Sequence, residues 1–209
     1  MRVLVTGAHG QLGREICLRY EDKGCTVFSC GSQELDITRY QDVSFCVKDF
    51  QPDLIVNCAA YNAVDDAEIE WEQAFCVNGF GPKNLALAAI QVGADIVHFS
   101  TDYVFNGKQR RPYTIADRPD PISRYGESKL LGEQMILNHV HRFYLIRTSW
   151  VFGSGNENFV DKVLDWSDKK SSITVVDDQV SSPTYTKDLA QATDNLVSSG
   201  QYGLYHITN

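Results

Sequence analysis

Basic residues, long apolar runs and paired cysteines are all scarce in this sequence of 209 residues. There are 19 lysines and arginines against 27 acidic residues, and the net charge of −8 disfavours nucleic acid as a partner. No apolar run approaches the roughly 20 residues of a membrane-spanning helix. The first residues, Met1–Thr6, enter an apolar strand without the apolar core of a signal peptide. We therefore expect a cytoplasmic protein with no membrane partner.

The cysteines and histidines predict no disulfide framework and no metal site. The six cysteines contain no C-x-x-C pair and fall inside apolar segments, so we expect reduced, buried thiols. The five histidines show no H-x-x-x-H spacing typical of zinc sites. The acidic stretch from Asp65 to Glu68 is interpreted as a solvated helix start, which the helix dipole favours, and not as a metal site.

The alternation of short apolar runs with helical patterns predicts an α/β protein. Strands are predicted over Val3–Thr6, Thr26–Cys30, Leu54–Ala59, Ile96–Ser100, Tyr144–Thr148, Ile173–Val176 and Leu204–Thr208. The first five are continuous apolar runs, which is typical of a parallel sheet covered on both faces. One intervening helix carries apolar residues from Val43 to Phe50, with Thr38 as its expected N-cap. The predicted fold class is therefore a Rossmann-type, doubly wound parallel sheet.

Two irregular stretches are predicted to be loops beside a ligand. The first, Asn106 to Ser123, leaves the end of the fourth predicted strand. The second, Gly153 to Asn156, follows Trp150. In open α/β sheets, ligands bind outside the carboxyl ends of the strands, which is where such loops lie.

A glycine-rich loop follows the first predicted strand. Gly7, Gly10 and Gly13 are spaced G-x-x-G-x-x-G before an amphipathic helix. Gly7 permits the tight turn, Gly10 lets the backbone approach a pyrophosphate, and Gly13 lets the helix pack against the strand. The amides at the helix N-terminus favour phosphate. The loop therefore predicts a bound dinucleotide.

The sequence leaves the choice between NADH and NADPH open. An acidic residue at the end of the second strand would bind the 2′-hydroxyl of NADH, but Cys30-Gly31-Ser32 stands there. No arginine is adjacent to hold a 2′-phosphate. Glu34 and Asp36 come slightly later.

Tyr125 and Lys129 form a Y-x-x-x-K pair on one face of a predicted helix. A lysine cation lowers the pKa of a nearby phenol, which would bring Tyr125 closer to the neutral pH that suits a proton donor. The lysine can also bind ribose hydroxyls of a nicotinamide cofactor. Thr101 ends the fourth strand, where its hydroxyl could bond to a carbonyl oxygen that gains charge. We therefore expect a reductase triad of Thr101, Tyr125 and Lys129.

The whole chain resembles the dTDP-4-dehydrorhamnose reductases, a family of extended short-chain dehydrogenases/reductases. The segments that carry the resemblance are TGAHGQLG (6–13), LDIT (35–38), QPDLIVNCAAYNAVDDAE (51–68), HFSTDYVFNG (98–107), RYGESKLLGE (124–133), RTSWVFG (147–153) and VVDDQVSSPTYT (175–186). The glycine loop and the tyrosine–lysine pair are common to the superfamily. STDYVF followed by RTSWV and DDQ-x-x-S-P-T is far more specific to this branch.

The resemblance implies a role for each matching residue. Contacts to the cofactor are implied for Gly7, Gly10, Gln11, Leu12, Gly13, Asp36, Ile37, Ala60, Tyr61, Asn62, Tyr125 and Lys129. Contacts to a dTDP-linked 4-keto-deoxysugar are implied for Val64, Thr101, Asp102 and Trp150. Core packing remains an alternative for Val64. The implied reaction is reduction of dTDP-4-dehydro-L-rhamnose to dTDP-L-rhamnose by NADPH or NADH, and a homodimer is common among such proteins.

Residues 1–150 are predicted to form the cofactor-binding domain with the catalytic residues, and 151–209 the start of a substrate lobe plus returning sheet elements. Family members usually continue beyond this length, so we expect the substrate lobe to be incomplete. Two alternatives stay open. One is a nucleotide-sugar epimerase or dehydratase on the same fold, although a dehydratase usually needs an acidic pair and Thr101-Asp102 offers one acid. The other is a non-catalytic, NADP-binding regulatory subunit.

Overall fold

Eight strands and seven α-helices make up the computed structural model, which describes residues 1–155 and 158–209. The strands are β1 (Arg2–Thr6), β2 (Thr26–Cys30), β3 (Leu54–Asn57), β4 (Asp95–Thr101), β5 (Phe143–Thr148), β6 (Val151–Phe152), β7 (Thr184–Tyr185) and β8 (Gly203–His206). The α-helices are α1 (Gln11–Asp22), α2 (Tyr40–Phe50), α3 (Trp71–Phe75), α4 (Gly81–Val92), α5 (Arg124–His139), α6 (Phe159–Lys169) and α7 (Thr186–Ser199). None of the described helices is long and apolar enough to cross a membrane.

Six strands form one parallel sheet in the order β2-β1-β3-β4-β5-β8. The predicted doubly wound parallel sheet is therefore confirmed. The strand order reverses between β1 and β3, and such a switch point opens a crevice at the carboxyl ends of the two strands. The glycine loop after β1 and the segment after β3 both reach this crevice.

Alternate residues of the strands pack against helices on the two faces of the sheet, as the pleat requires. One face buries Val3 and Val5 of β1 against α1 and α7, through Ile16 and Leu189. The other face buries residues such as Leu4 against α2, α4 and α5. Both faces of β1, β3, β4 and β5 are thus covered, which explains their continuous apolar runs. The edge strand β2 departs from the prediction, because most of its residues are exposed.

One strand predicted in the segment between α6 and β7 is absent from the described structure. Ile173–Val176 has no strand structure, although its β-branched residues suit a strand, because every residue from 171 to 180 is exposed and pairs with no described strand. The neighbour of β5 in the large sheet is instead β8. The short strands β6 and β7 pair with each other in a second, two-stranded sheet.

Three smaller predictions also need correction. Thr38 is not the N-cap of α2, because that helix begins one residue after Arg39 and the Thr38 hydroxyl donates to Asp36 instead, at 2.7 Å. The strand β3 ends at Asn57 and not at Ala59. All six cysteines are free, but only Cys17 and Cys30 are buried. Cys25, Cys46 and Cys58 are half-buried, and Cys76, at the start of a π-helical turn (Cys76–Phe80), is exposed.

Candidate active site

A cavity of about 640 Å³ opens at the carboxyl ends of β1, β3, β4 and β5. Its described lining comprises Gly10–Gly13, Cys58–Ala60, Asn62, Val64, Phe99–Tyr103, Tyr125, Lys129, Thr148–Phe152, Asn158–Val160 and Pro183. Its volume is within the range of small-molecule and cofactor sites. The cavity therefore brings together the glycine loop, the predicted triad and the segment after β5.

The glycine loop is packed so closely that two of its positions have no room for a side chain. A Cβ on Gly7, whose φ is +66°, would lie 2.4 Å from the Ala59 amide nitrogen, and one on Gly13 would lie 2.2 Å from the Gly7 carbonyl oxygen. At Gly10 the nearest atom would be the Gly7 carbonyl oxygen at 3.3 Å, a tight contact but not a clash, and Gly10 lines the cavity. Gly10 is also the N-cap of α1 and has no side chain to cover the first amides of the helix. The loop and helix start therefore form a cradle that fits the pyrophosphate of a dinucleotide.

Tyr125 lies in the first turn of α5, where the side chain of Ser123 accepts a hydrogen bond from the Gly126 amide and caps the helix. Its ring packs edge-on against Tyr103, with the ring centroids 5.5 Å apart. Burial raises the pKa of Tyr125, and a hydrogen bond with Thr101 opposes that effect. The predicted lowering of this pKa is thus wrong in this structure. The phenol keeps its proton at neutral pH, which is the state that a proton donor needs.

Lys129 follows one turn later on α5 and is almost fully buried. Its ammonium group donates to the Phe99 carbonyl at 2.6 Å, which anchors it at the end of β4. Burial lowers the pKa of Lys129 to about 8, while Glu133 pulls in the opposite direction. The Lys129 ammonium is thus bound to a main-chain oxygen, and the pKa of Tyr125 is raised chiefly by burial of the phenol.

A buried charge network links α5 to the large sheet. Arg147 of β5 binds Glu133 of α5 through two hydrogen bonds, of 2.8 Å from Nε and 2.6 Å from Nη2. The Ser100 hydroxyl also donates to Glu133, at 2.5 Å. Both charged side chains are at most 5% exposed. The pair therefore ties α5 to β4 and β5, the strands whose ends carry the cavity.

Thr101 and Asp102 meet the cavity where β4 ends. The Thr101 hydroxyl accepts from the Tyr103 amide at 3.2 Å and lies 3.0 Å from the Asp102 carboxylate. The Ser181 hydroxyl donates to the other Asp102 oxygen at 3.0 Å, which links the segment before β7 to the end of β4. Burial raises the pKa of Asp102, although these hydrogen bonds oppose the shift.

Aromatic residues close the cavity on the side of α6. Trp150 adopts a left-handed backbone, with φ of +47°, which costs energy for a residue other than glycine. Its ring meets Phe159 in a T-shaped contact with centroids 5.1 Å apart. The two rings stand nearly perpendicular to each other, and both residues line the cavity with apolar surface.

The chemistry of this cavity is that of proton donation and dinucleotide binding. A protonated phenol, a hydroxyl and a buried ammonium group stand around one space, next to a cradle for pyrophosphate. Asp102 is the only carboxylate among the described lining residues. Within 1–155 and 158–209, no three His, Cys, Asp or Glu residues cluster as metal ligands would.

Comparison with known families agrees with this geometry. The model of the RmlD substrate binding domain matches residues 1–209, the whole chain. The chain belongs to this family. It is 44% identical over 208 residues to the spore coat polysaccharide biosynthesis protein SpsK of Bacillus subtilis, and covers 73% of that protein.

Solved structures of family members have the same fold. A dTDP-4-dehydrorhamnose reductase of Clostridium acetobutylicum superposes with a TM-score of 0.97 and is 42% identical, and the match covers 100% of this chain and 74% of that one. A reductase of the same name from Bacillus anthracis, solved in complex with NADP, gives a TM-score of 0.96 at 38% identity. The match again covers the whole chain and 74% of its relative.

Most residues that the sequence assigned to this RmlD-family site lie together in the cavity. Those that line it are Gly10, Gln11, Leu12, Gly13, Ala60, Asn62, Val64, Thr101, Asp102, Tyr125, Lys129 and Trp150. Gly7, Asp36, Ile37 and Tyr61 lie outside its described lining. Gly7 packs beneath the loop, and Asp36 accepts two hydrogen bonds from Thr38. Ile37 is buried, and the Tyr61 hydroxyl donates to Glu70.

The two predicted loops differ in their relation to the site. The stretch from 106 to 123 has no helix or strand, as expected, but it folds on itself through an Arg111–Asp117 pair and does not reach the described lining. Part of the second loop, Asn156, lies outside the described residues. Trp150 and Phe152, just before that loop, do line the cavity.

Sequence reasoning missed several residues that shape the site. Asn158 and Phe159 line the cavity but lie in a segment without a motif that suggests a ligand, and Pro183 lies in the family motif DDQ-x-x-S-P-T but was not assigned to the site. Glu133 and Arg147 could have been found, because Arg147 is the one charge in the apolar strand β5 and Glu133 lies one turn after Lys129 on the buried side of α5. Charges are buried only when they are paired, so both pointed to a partner.

Proposed function

We propose that this chain is an NAD(P)H-dependent reductase that converts dTDP-4-dehydro-L-rhamnose to dTDP-L-rhamnose. The observation that carries the proposal is that Thr101, Tyr125 and Lys129 line one cavity with the glycine cradle. Membership of the RmlD family, and the names of the relatives from Clostridium acetobutylicum and Bacillus anthracis, support the same substrate class.

The cofactor would rest on Gly10–Gly13, with its nicotinamide end towards Tyr125 and Lys129. When bound, the reduced nicotinamide supplies a hydride to the carbonyl carbon of the sugar. The Tyr125 hydroxyl gives its proton to the carbonyl oxygen, which becomes the alcohol, and water then restores the proton. The Thr101 hydroxyl, which donates to the Asp102 carboxylate in this structure, would turn to donate its one hydrogen bond to that oxygen as it gains negative charge.

The ammonium group of Lys129 would bind the cofactor and would not act on the Tyr125 phenol. Its ammonium group carries three donors, and Phe99 takes one of them. The remaining donors are available for the nicotinamide ribose hydroxyls. The Arg147–Glu133 pair holds α5 in register, so that Tyr125 and Lys129 keep their positions relative to β4.

The sugar nucleotide would occupy the remainder of the cavity, between Val64, Asp102 and Trp150. Phe159 extends the aromatic surface of Trp150 and suits a ring of the substrate. The single described carboxylate of the lining, Asp102, favours a reductase over a dehydratase that needs an acidic pair. The intact Tyr125 and Lys129 favour an enzyme over a regulatory subunit.

The organisation of the chain suggests how the site is divided. We propose that residues 1–150 bind the cofactor and carry the catalytic groups, and that 151–209 begin the substrate lobe. Parts of the second segment return to the first, because β8 joins the large sheet and α7 packs against α1. A cytoplasmic location, a homodimer and the absence of a nucleic-acid partner are further parts of the proposal.

The test is oxidation of NADH and NADPH, measured separately at 340 nm, with dTDP-4-dehydro-L-rhamnose generated in situ. Turnover that yields dTDP-L-rhamnose supports the proposal. Cofactor binding without turnover would contradict it and favour the regulatory subunit. Formation of an isomeric 4-keto sugar without net cofactor oxidation would favour an epimerase.

A further inference from the structure

The turn after β2 brings a carboxylate back to the end of that strand. The Gly31 amide donates to Oε2 of Glu34 at 2.8 Å, so the side chain folds towards the strand end. The same oxygen lies 3.3 Å from Nε2 of His9, which belongs to the glycine loop. A Cβ on Gly31 would lie 2.3 Å from the His9 ring, so the close approach of these segments depends on glycine there.

The location of this carboxylate matters because of where dinucleotides bind on this fold. An acidic residue about 20 residues after the glycine loop, at the end of the second strand, accepts a hydrogen bond from the 2′-hydroxyl of the adenosine ribose. Glu34 follows Gly13 by about that distance. The sequence conceals it, because the strand ends at Cys30 and Glu34 returns to the strand end through its hydrogen bond with the Gly31 amide.

We propose that Glu34 makes this chain discriminate against NADPH relative to NADH. Its carboxylate would accept from the ribose 2′-hydroxyl of NADH and repel the 2′-phosphate of NADPH. This inference rests on the proposed binding of NAD(P)H. It adds a specificity-determining residue at the adenosine end of the cofactor, outside the catalytic triad.

The neighbours of Glu34 favour the ionised form of its carboxylate. The hydrogen bond from the Gly31 amide, with a smaller contribution from His9, holds the pKa of Glu34 below its usual range. The side chain is 50% exposed, so it can meet a ligand from solvent. The carboxylate is therefore ionised at neutral pH and accessible to a ligand.

The described partners of the Glu34 carboxylate are the Gly31 amide and His9, and no arginine is among them. Nε of Arg14 donates to the His9 carbonyl at 3.0 Å, and Arg39 pairs with Asp42 at 3.0 Å. A 2′-phosphate usually needs an arginine beside it. A phosphate here would instead meet the carboxylate of Glu34, and the repulsion would weaken NADPH binding.

The test is the ratio of the dissociation constants of NADPH and NADH, measured by fluorescence titration at low salt without sugar substrate. Glu34→Gln keeps an oxygen that accepts from Gly31 but removes the charge. We expect this variant to improve NADPH binding relative to NADH by about tenfold, as for the removal of one nearby like charge in a partly solvated site. Low salt is used because screening would hide the effect.

Glu21→Gln is the matched control, because it removes the same charge at the other end of α1, roughly 15 Å along the helix from the glycine loop. An unchanged ratio in Glu34→Gln, or an equal change in Glu21→Gln, would overturn the proposal. A wild-type protein that binds NADPH more tightly than NADH would also overturn it. Failure of the wild-type chain to bind either cofactor would instead refute the proposed function.

Discussion

Replacement of Lys129 by methionine should make the stability difference between the two proteins depend on pH. Lys129 is 3% exposed, and burial lowers its pKa from 10.5 to about 8. Between these values the unfolded chain holds a proton that the folded chain has lost, so the wild-type protein gains stability as the pH rises. The cost of burying the charged ammonium group is fully present below about pH 8. Methionine fills a similar volume but cannot titrate.

The expected size of the effect follows from the two pKa values of Lys129. One unit of pKa shift corresponds to 1.36 kcal/mol, so the shift from 10.5 to about 8 gives about 3 kcal/mol in total, most of it between pH 7 and pH 10. Urea denaturation of both proteins at pH 7, 8, 9 and 10 measures it, and other groups cancel in the difference. The unfolding free energy of the wild-type protein should rise across this range relative to that of Lys129→Met. If the difference in unfolding free energy does not change with pH, the claim that burial lowers the pKa of Lys129 is wrong. If the difference changes with the opposite sign, Glu133 raises this pKa by more than burial lowers it.

Two further substitutions test the cradle and the charge network. Gly13→Ala places a Cβ 2.2 Å from the Gly7 carbonyl oxygen, so we expect a loss of about 1–3 kcal/mol of unfolding free energy and weaker NAD(P)H binding, measured by denaturation and fluorescence titration. Glu133→Ala leaves the Arg147 guanidinium buried without its carboxylate, and should cost about 3–5 kcal/mol. The control Glu127→Ala removes an exposed carboxylate of the same helix and should change stability by at most about 0.5 kcal/mol. Equal losses in both glutamate variants would contradict the role of the network.

The sequence predicted the parts of this molecule that depend on local spacing. The glycine loop could be found because Gly7, Gly10 and Gly13 follow a strand and precede a helix, and only glycine fits two of these positions. Tyr125 and Lys129 could be found because four residues on a helix share a face. The parallel sheet followed from strands that are apolar on both faces.

The features that could not be predicted depend on contacts between distant segments. Whether a lysine lowers the pKa of a phenol depends on where its ammonium group points, and here the Phe99 carbonyl holds the ammonium of Lys129. Ile173–Val176 has the composition of a strand but pairs with no described strand. Glu34 reaches the end of β2 through a bond to a main-chain amide, which no spacing rule describes.

The most direct test of the proposed mechanism compares Tyr125→Phe with Tyr40→Phe, in turnover of dTDP-4-dehydro-L-rhamnose and in binding of NAD(P)H. Phenylalanine preserves the ring that packs against Tyr103 and removes only the proton donor. Tyr40 is a control on α2, outside the described cavity lining. We predict that kcat/KM falls at least about 100-fold in Tyr125→Phe while cofactor binding is unchanged, and that Tyr40→Phe retains both. Full activity of Tyr125→Phe would contradict the assignment of this phenol as the proton donor.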